Sequence, residues 1–149
     1  MHTVKTALIG YAATLCAFVV LDAIWLQFVA IEMFRQNVGA ILRDQPDVGA
    51  AVAFYAIYAA GLYGLAVRPA LAVQQRQAAL ANGALVGLTA YATFDLTNLA
   101  IIAGWTPKLA VLDIGWGTVA SAIAALAGYA VASHWSPRAH ADGSRRQQV

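Results

Sequence analysis

LANGALVGLTAYATFDLTNLAIIA, residues 80–103, is an apolar run that carries a single charge, Asp95. About 20 such residues suffice for a helix to cross a bilayer. Here a carboxylate and a carboxamide, Asp95 and Asn98, interrupt the run. A charged side chain at that depth is costly, so it faces a partner, a cavity or a ligand rather than lipid. Three more apolar stretches surround this one, at about residues 7–30, 48–67 and 109–132, and two of them hold aspartates of their own, Asp22 and Asp113. The pattern predicts an all-α polytopic membrane protein, a four-transmembrane-helix bundle over residues 1–135. A polar, basic tail follows over residues 136–149, with the composition of a disordered segment.

Composition supports the membrane reading. Of 149 residues, 61% are hydrophobic and 11% charged, against roughly half and a quarter in soluble domains. The nine Lys and Arg are scattered, which excludes the basic stripe of a nucleic-acid binder. One cysteine, Cys16, rules out an internal disulfide, and its apolar surroundings predict an inert buried thiol. The first stretch is too long for a signal-peptide core, is broken by Asp22 and Gln27, and lacks a convincing cleavage site, so it reads as a retained helix. His2, His134 and His140 make no metal-ligand spacing, and no metal site is expected. No phosphate loop, dinucleotide fingerprint, haem-attachment motif or nucleophile elbow names a cofactor.

Basic residues orient the bundle. With the N-terminus inside, the inner side carries Lys5, Arg68, Arg76, Arg138, Arg145 and Arg146, and the outer side Arg35, Arg43 and Lys108. That excess places both termini in the cytoplasm. The longest loop, residues 32–47, is expected to hold a short interfacial helix, since Ile31, Phe34, Val38, Ile41 and Leu42 fall near helical spacing.

Depth then brings the aspartates together. At about 1.5 Å of rise per residue, Asp22 and Asp95 each lie roughly 12 Å below the outer end of their helices, and Asp113 roughly 6 Å in. Inverting the protein would move all three to the other leaflet together. The first helix also repeats a pattern of the fourth: Val20-Leu21-Asp22-x-x-Trp25 and Val111-Leu112-Asp113-x-x-Trp116. A spacing of three sets each Trp on the face of its Asp. In antiparallel neighbours Asp22 comes level with Trp116, and Trp25 nearly level with Asp113. Each indole N–H can then donate to the other helix's carboxylate.

On the third helix Tyr91, Asp95 and Asn98 share one face. Thr93 and Thr97 lie beside it, where hydroxyls bond back to carbonyls four residues earlier. Gly61, Gly64, Gly83, Gly87, Gly117, Ser121 and Gly128 read as packing sites. Tyr55, Tyr58 and Tyr63 read as packing or lipid-interface residues, and Trp105 and Trp135 as interfacial anchors.

The run Tyr91-Ala-Thr-Phe-Asp-Leu-Thr-Asn-Leu-Ala100, followed by Gly104-Trp105 and Asp113-x-x-Trp116-Gly117, resembles a family of small bacterial membrane proteins. It is catalogued as domain of unknown function 2177. The resemblance extends to about residue 135 and includes Asp22 and Trp25. It implies a four-helix protein of the inner membrane, and neither an activity nor a catalytic residue.

Function is therefore argued from the polar residues. Three carboxylates in one region exceed what helix register requires, and no Lys or Arg within the spans offsets them. Either protons or a bound cation must do so. The leading expectation is a site that binds or transports a small polar or cationic ligand, or protons. Asp22, Asp95, Asn98 and Asp113 would hold it, with Tyr91 on the same face and Trp25 and Trp116 as aromatic walls. A bundle this thin would need a homodimer to form a permeation path. The alternatives are a membrane enzyme acting on a lipid or lipophilic substrate, with an aspartate as base or divalent-cation ligand, and a structural or assembly subunit.

Overall fold

The computed structural model describes residues 2–135, with side chains from residue 4, and within them the chain is helical and has no strand. The tail expected from residue 136 lies outside the described residues. Helix α1 (His2–Trp25) passes through a π turn, Leu26–Ala30, into α2 (Ile31–Val38) and a closing 3₁₀ turn, Gly39–Ile41. Helix α3 (Val48–Leu62) passes through a second π turn, Tyr63–Val67, into α4 (Arg68–Val73). The long helices α5 (Arg76–Ile101) and α6 (Pro107–Ser133) complete the chain. Four continuous rods result: Val4–Ile41, Val48–Val73, Arg76–Ile101 and Pro107–Ser133, each long and apolar enough to cross a membrane.

The first rod is longer than the apolar pattern suggests. Its 38 residues reach about 57 Å at 1.5 Å each, far more than a hydrocarbon core of about 30 Å. The short helix expected in the loop is present as α2, joined to α1 through the π turn rather than set apart from it. Glu32, Arg35 and Gln36 are exposed on α2, whereas Val38 is buried.

Both π turns bond five residues back instead of four: Ile31 N–H to the Leu26 carbonyl, and Arg68 N–H to that of Tyr63. The second has a local cause. Pro69 has no N–H, and its ring would collide with the carbonyl four residues earlier; a widened turn just before it relieves both. Helix starts are fixed by side-chain caps. Ala50 N–H donates to Asp47 Oδ1 at 3.0 Å, and Leu109 N–H to Thr106 Oγ1 at 3.3 Å, with Pro107 opening α6. Between α5 and α6, Gly104 has φ +98°, and a Cβ there would stand 2.5 Å from the Asn37 carbonyl. A residue without a side chain is needed for that turn to close on α2.

Packing centres on α6, which lies against α5 on one side and α1 on the other. Small residues allow the approach. A Cβ on Gly83 would meet Ala125 Cβ at 2.7 Å, one on Gly87 would meet Ser121 Cβ at 2.7 Å, and one on Gly117 would fall within the Tyr91 ring. Each step is one turn along both helices. The buried core is alanine-rich, with Phe18, Leu62 and Val67 among Ala66, Ala120, Ala124 and Ala125. Gly61 and Gly64, read as packing sites from the sequence, have nothing within 4 Å of where a Cβ would stand. Cys16 is exposed on the outer face of α1 rather than buried.

The second rod changes neighbours along its length. Its first half, α3, leans on α1, whereas its π turn and α4 cross onto α5. The gap this leaves between α3 and α5 is where the polar residues gather.

Candidate functional site

The register that packs α5 on α6 also sets two carboxylates face to face. Stepping outward from Gly87 against Ser121 and Tyr91 against Gly117, the next pair in the same four-residue stride is Asp95 and Asp113. The two carboxyls are immediate neighbours. Asp113 and Asp22 line the same cavity, near enough for their charges to interact. All are buried, with Asp95 0% exposed, Asp113 6% and Asp22 7%.

Each carboxylate has an aromatic donor. Trp25 Nε1 donates to Asp113 Oδ1 at 3.1 Å, Tyr55 Oη to Asp22 Oδ2 at 2.8 Å, and Trp105 Nε1 to Asp95 Oδ1 at 3.2 Å. Tyr91 and Trp116 lie against Asp22 as well. Of the two reciprocal bonds expected between α1 and α6, the Trp25–Asp113 bond forms. Trp116 Nε1 stays beside Asp22 without reaching hydrogen-bond geometry, and is buried with no partner. Instead the two indoles stack, 5.0 Å between centroids and 7° from parallel. Asp95 Oδ2 is likewise buried and unpartnered.

Beside this network lies a cavity of about 430 Å³. Asp22 and Asp113 supply its acidic wall. Aromatic rings make up much of the rest: Trp25 from α1, Phe34 from α2, Phe54, Tyr55 and Tyr58 from α3, and Tyr91 and Phe94 from α5. Of the residues singled out from the sequence, Asp22, Trp25, Tyr91 and Asp113 line the cavity, whereas Asp95, Asn98 and Trp116 do not. Asp95 and Trp116 stand behind the wall, Asp95 beside Asp113 and Trp116 beside Asp22. Asn98 is half-buried, less than one turn beyond Asp95 on α5.

Tyr55 and Tyr58 are packing residues, as the sequence allows, and they also line the cavity; Tyr58 Oη lies 2.6 Å from Ser121 Oγ on α6, and both rings pack on Phe18. Trp105, read from the sequence as an interfacial anchor, is half-buried and has a second role. It turns inward to Asp95, between the rings of Phe34 and Phe94. Phe34 reaches the cavity only because α2 continues the first rod. A usable signal existed for the tyrosines, since Ala51, Tyr55 and Tyr58 recur at helical spacing on one face of α3.

Among the described residues, no three of His, Cys, Asp and Glu come close enough to hold a metal ion. Carboxylates stand on one side of the cavity and ring faces on the others, a combination that favours positive charge.

No curated protein and no solved structure matches the chain. The model of a family described as "Predicted membrane protein (DUF2177)" matches residues 7–130. The chain thus belongs to this family of membrane proteins of unknown function.

Proposed function

We propose that this protein is a membrane receptor for a small amphiphilic organic cation, held in the cavity between α1, α3 and α5. The reading rests on one observation: two buried carboxylates, Asp22 and Asp113, share a wall of a cavity lined elsewhere by seven aromatic rings with Leu26, Ala51 and Ala90. A hydrated inorganic ion would gain little from such rings. A quaternary or tertiary ammonium carrying an apolar group gains from both, because its charge pairs with a carboxylate and its methyl groups meet ring faces. The cavity is also roomy enough for a one-ring ammonium. With the chain in the inner membrane and both termini in the cytoplasm, as the basic residues favour, the cavity belongs to the outer leaflet.

Benzyltrimethylammonium and its uncharged carbon isostere neopentylbenzene provide the test, by calorimetric titration of the protein in lipid nanodiscs. Saturable binding of the cation is expected, at least about tenfold weaker for Asp22→Asn, with the isostere bound weakly or not at all. Equal binding of the two, or no saturable binding of the cation, would overturn the reading.

A further inference from the structure

Asp95 is the most enclosed of the three carboxylates and has no wall on the cavity. One of its oxygens accepts from Trp105; the other is buried without a hydrogen-bond partner. Its close neighbour across the α5–α6 seam is another carboxylate, Asp113, which among the described residues accepts the indole N–H of Trp25 and no other side-chain donor. Two ionised carboxylates have acceptors and no donor between them, and each indole supplies one proton donor to the outside of the pair. A single added proton completes the pattern. It turns the orphaned contact into a carboxylic acid–carboxylate hydrogen bond, which is short and strong in a dry setting.

The surroundings offer no substitute for that proton. From the first rod the groups facing the pair are Asp22 and Trp25, from α3 Tyr55 and Tyr58, from α5 Tyr91, and from the α5–α6 turn Trp105. None carries a positive charge. Asp22 accepts from the Tyr55 hydroxyl at 2.8 Å and, unlike Asp95, has no buried oxygen left without a hydrogen-bond partner.

We propose that Asp95 and Asp113 share one proton, and that this proton leaves when a cation occupies the cavity. The step conserves charge. The cation arrives beside Asp113, the O–H bond within the pair breaks, and the proton passes to water at the cavity mouth, leaving both carboxylates ionised around one positive charge. Asp113 is the link, since it faces the cavity on one side and Asp95 on the other. The exchange half of this proposal rests on the cation reading above; the shared proton does not.

Thermodynamic linkage fixes the sign. The occupied form holds one proton fewer, so raising the pH favours binding, by up to about tenfold in affinity per pH unit while the free protein keeps its proton. Two measurements on the wild-type chain test this in nanodiscs. Infrared spectroscopy of the unliganded protein at neutral pH should show the C=O stretch of a protonated buried carboxyl, and benzyltrimethylammonium should remove it. The affinity for the same cation should rise with pH at nearly one decade per unit.

Asp95→Asn is expected to lose the infrared band and to bind the cation with little pH dependence, because its amide can donate to Asp113 in place of the proton. Absence of the band in the wild-type protein overturns the shared proton, as does a band that survives in Asp95→Asn and disappears in Asp22→Asn. A band that behaves as expected, in a protein that binds no cation at any pH, upholds the proton and overturns the cation reading and its exchange.

Discussion

The indoles of Trp25 and Trp116 stack 7° from parallel with their centroids 5.0 Å apart, yet only one of them uses its N–H. Trp25 spends it on Asp113, whereas that of Trp116 is buried and unused. Replacing Trp25 by Phe keeps a ring in the stack and removes a working donor. A loss of about 0.6 kcal/mol is expected, and at most about 1.7 kcal/mol, the average and the maximum for hydrogen bonds within a membrane bundle. Trp116→Phe removes a donor that satisfies nothing, so its loss should be smaller, even with the smaller ring. Reversible unfolding in mixed micelles compares the two.

Gly117 and Gly115 lie two residues apart on α6 and make opposite predictions. A methyl on Gly117 would fall inside the Tyr91 ring, whereas one on Gly115 meets nothing within 4 Å. Gly117→Ala should destabilise by about 1–3 kcal/mol and move Tyr91 out of the cavity wall. Gly115→Ala should be neutral or slightly stabilising, since alanine is the better helix former. The same unfolding assay reads both, and a matching loss at both sites would count against the α5–α6 register.

Tyr58 and Ser121 tie the second rod to α6 through hydroxyls 2.6 Å apart. A double-mutant cycle of Tyr58→Phe and Ser121→Ala should give a coupling energy of about 0.6–1.7 kcal/mol. Additive losses would mean that the contact contributes nothing beyond packing.

Trp105→Phe should leave the aromatic contacts with Phe34 and Phe94 largely in place while removing the N–H that serves Asp95. Asp95, whose second oxygen has no other partner, would then keep only the proton it shares with Asp113. A cost of about 1–3 kcal/mol is expected. Asp95→Asn in the Trp105→Phe background should recover part of it, because an amide brings donors of its own.

Much of the fold was legible because bilayer thickness acts on sequence directly: each of the four apolar runs became one rod. The acidic group was legible for a related reason. Helical rise converts position into depth, and Asp95 lies beside Asp113 while Asp113 and Asp22 line one cavity. What escaped was lateral. Hydropathy carries no record of which helix leans where, so the departure of α3 from α5, and with it the cavity and the roles of Tyr55 and Tyr58, could not be read from composition. Trp105 was missed because a tryptophan beside Gly104 looks like an interface residue until its N–H is seen to point at Asp95. The stride of small residues at 83, 87, 117 and 121 held more than packing. Extended by one step it names the Asp95–Asp113 pair.

The π turn at Leu26–Ala30 holds one residue more than an α-helical turn of the same span would. Each α-helical residue advances the helix face by about 100°, so that extra residue acts as a phase adjuster between the two ends of the first rod. Below it, Asp22 and Trp25 face α6 and the cavity. Above it, Phe34 is aimed at Trp105 and the Asn37 carbonyl at Gly104. Deleting any single residue from 26 to 30 would leave every side chain of the acidic group in place. It would nevertheless swing the upper helix by about 100°, taking Phe34 away from the ring that presents the indole N–H to Asp95.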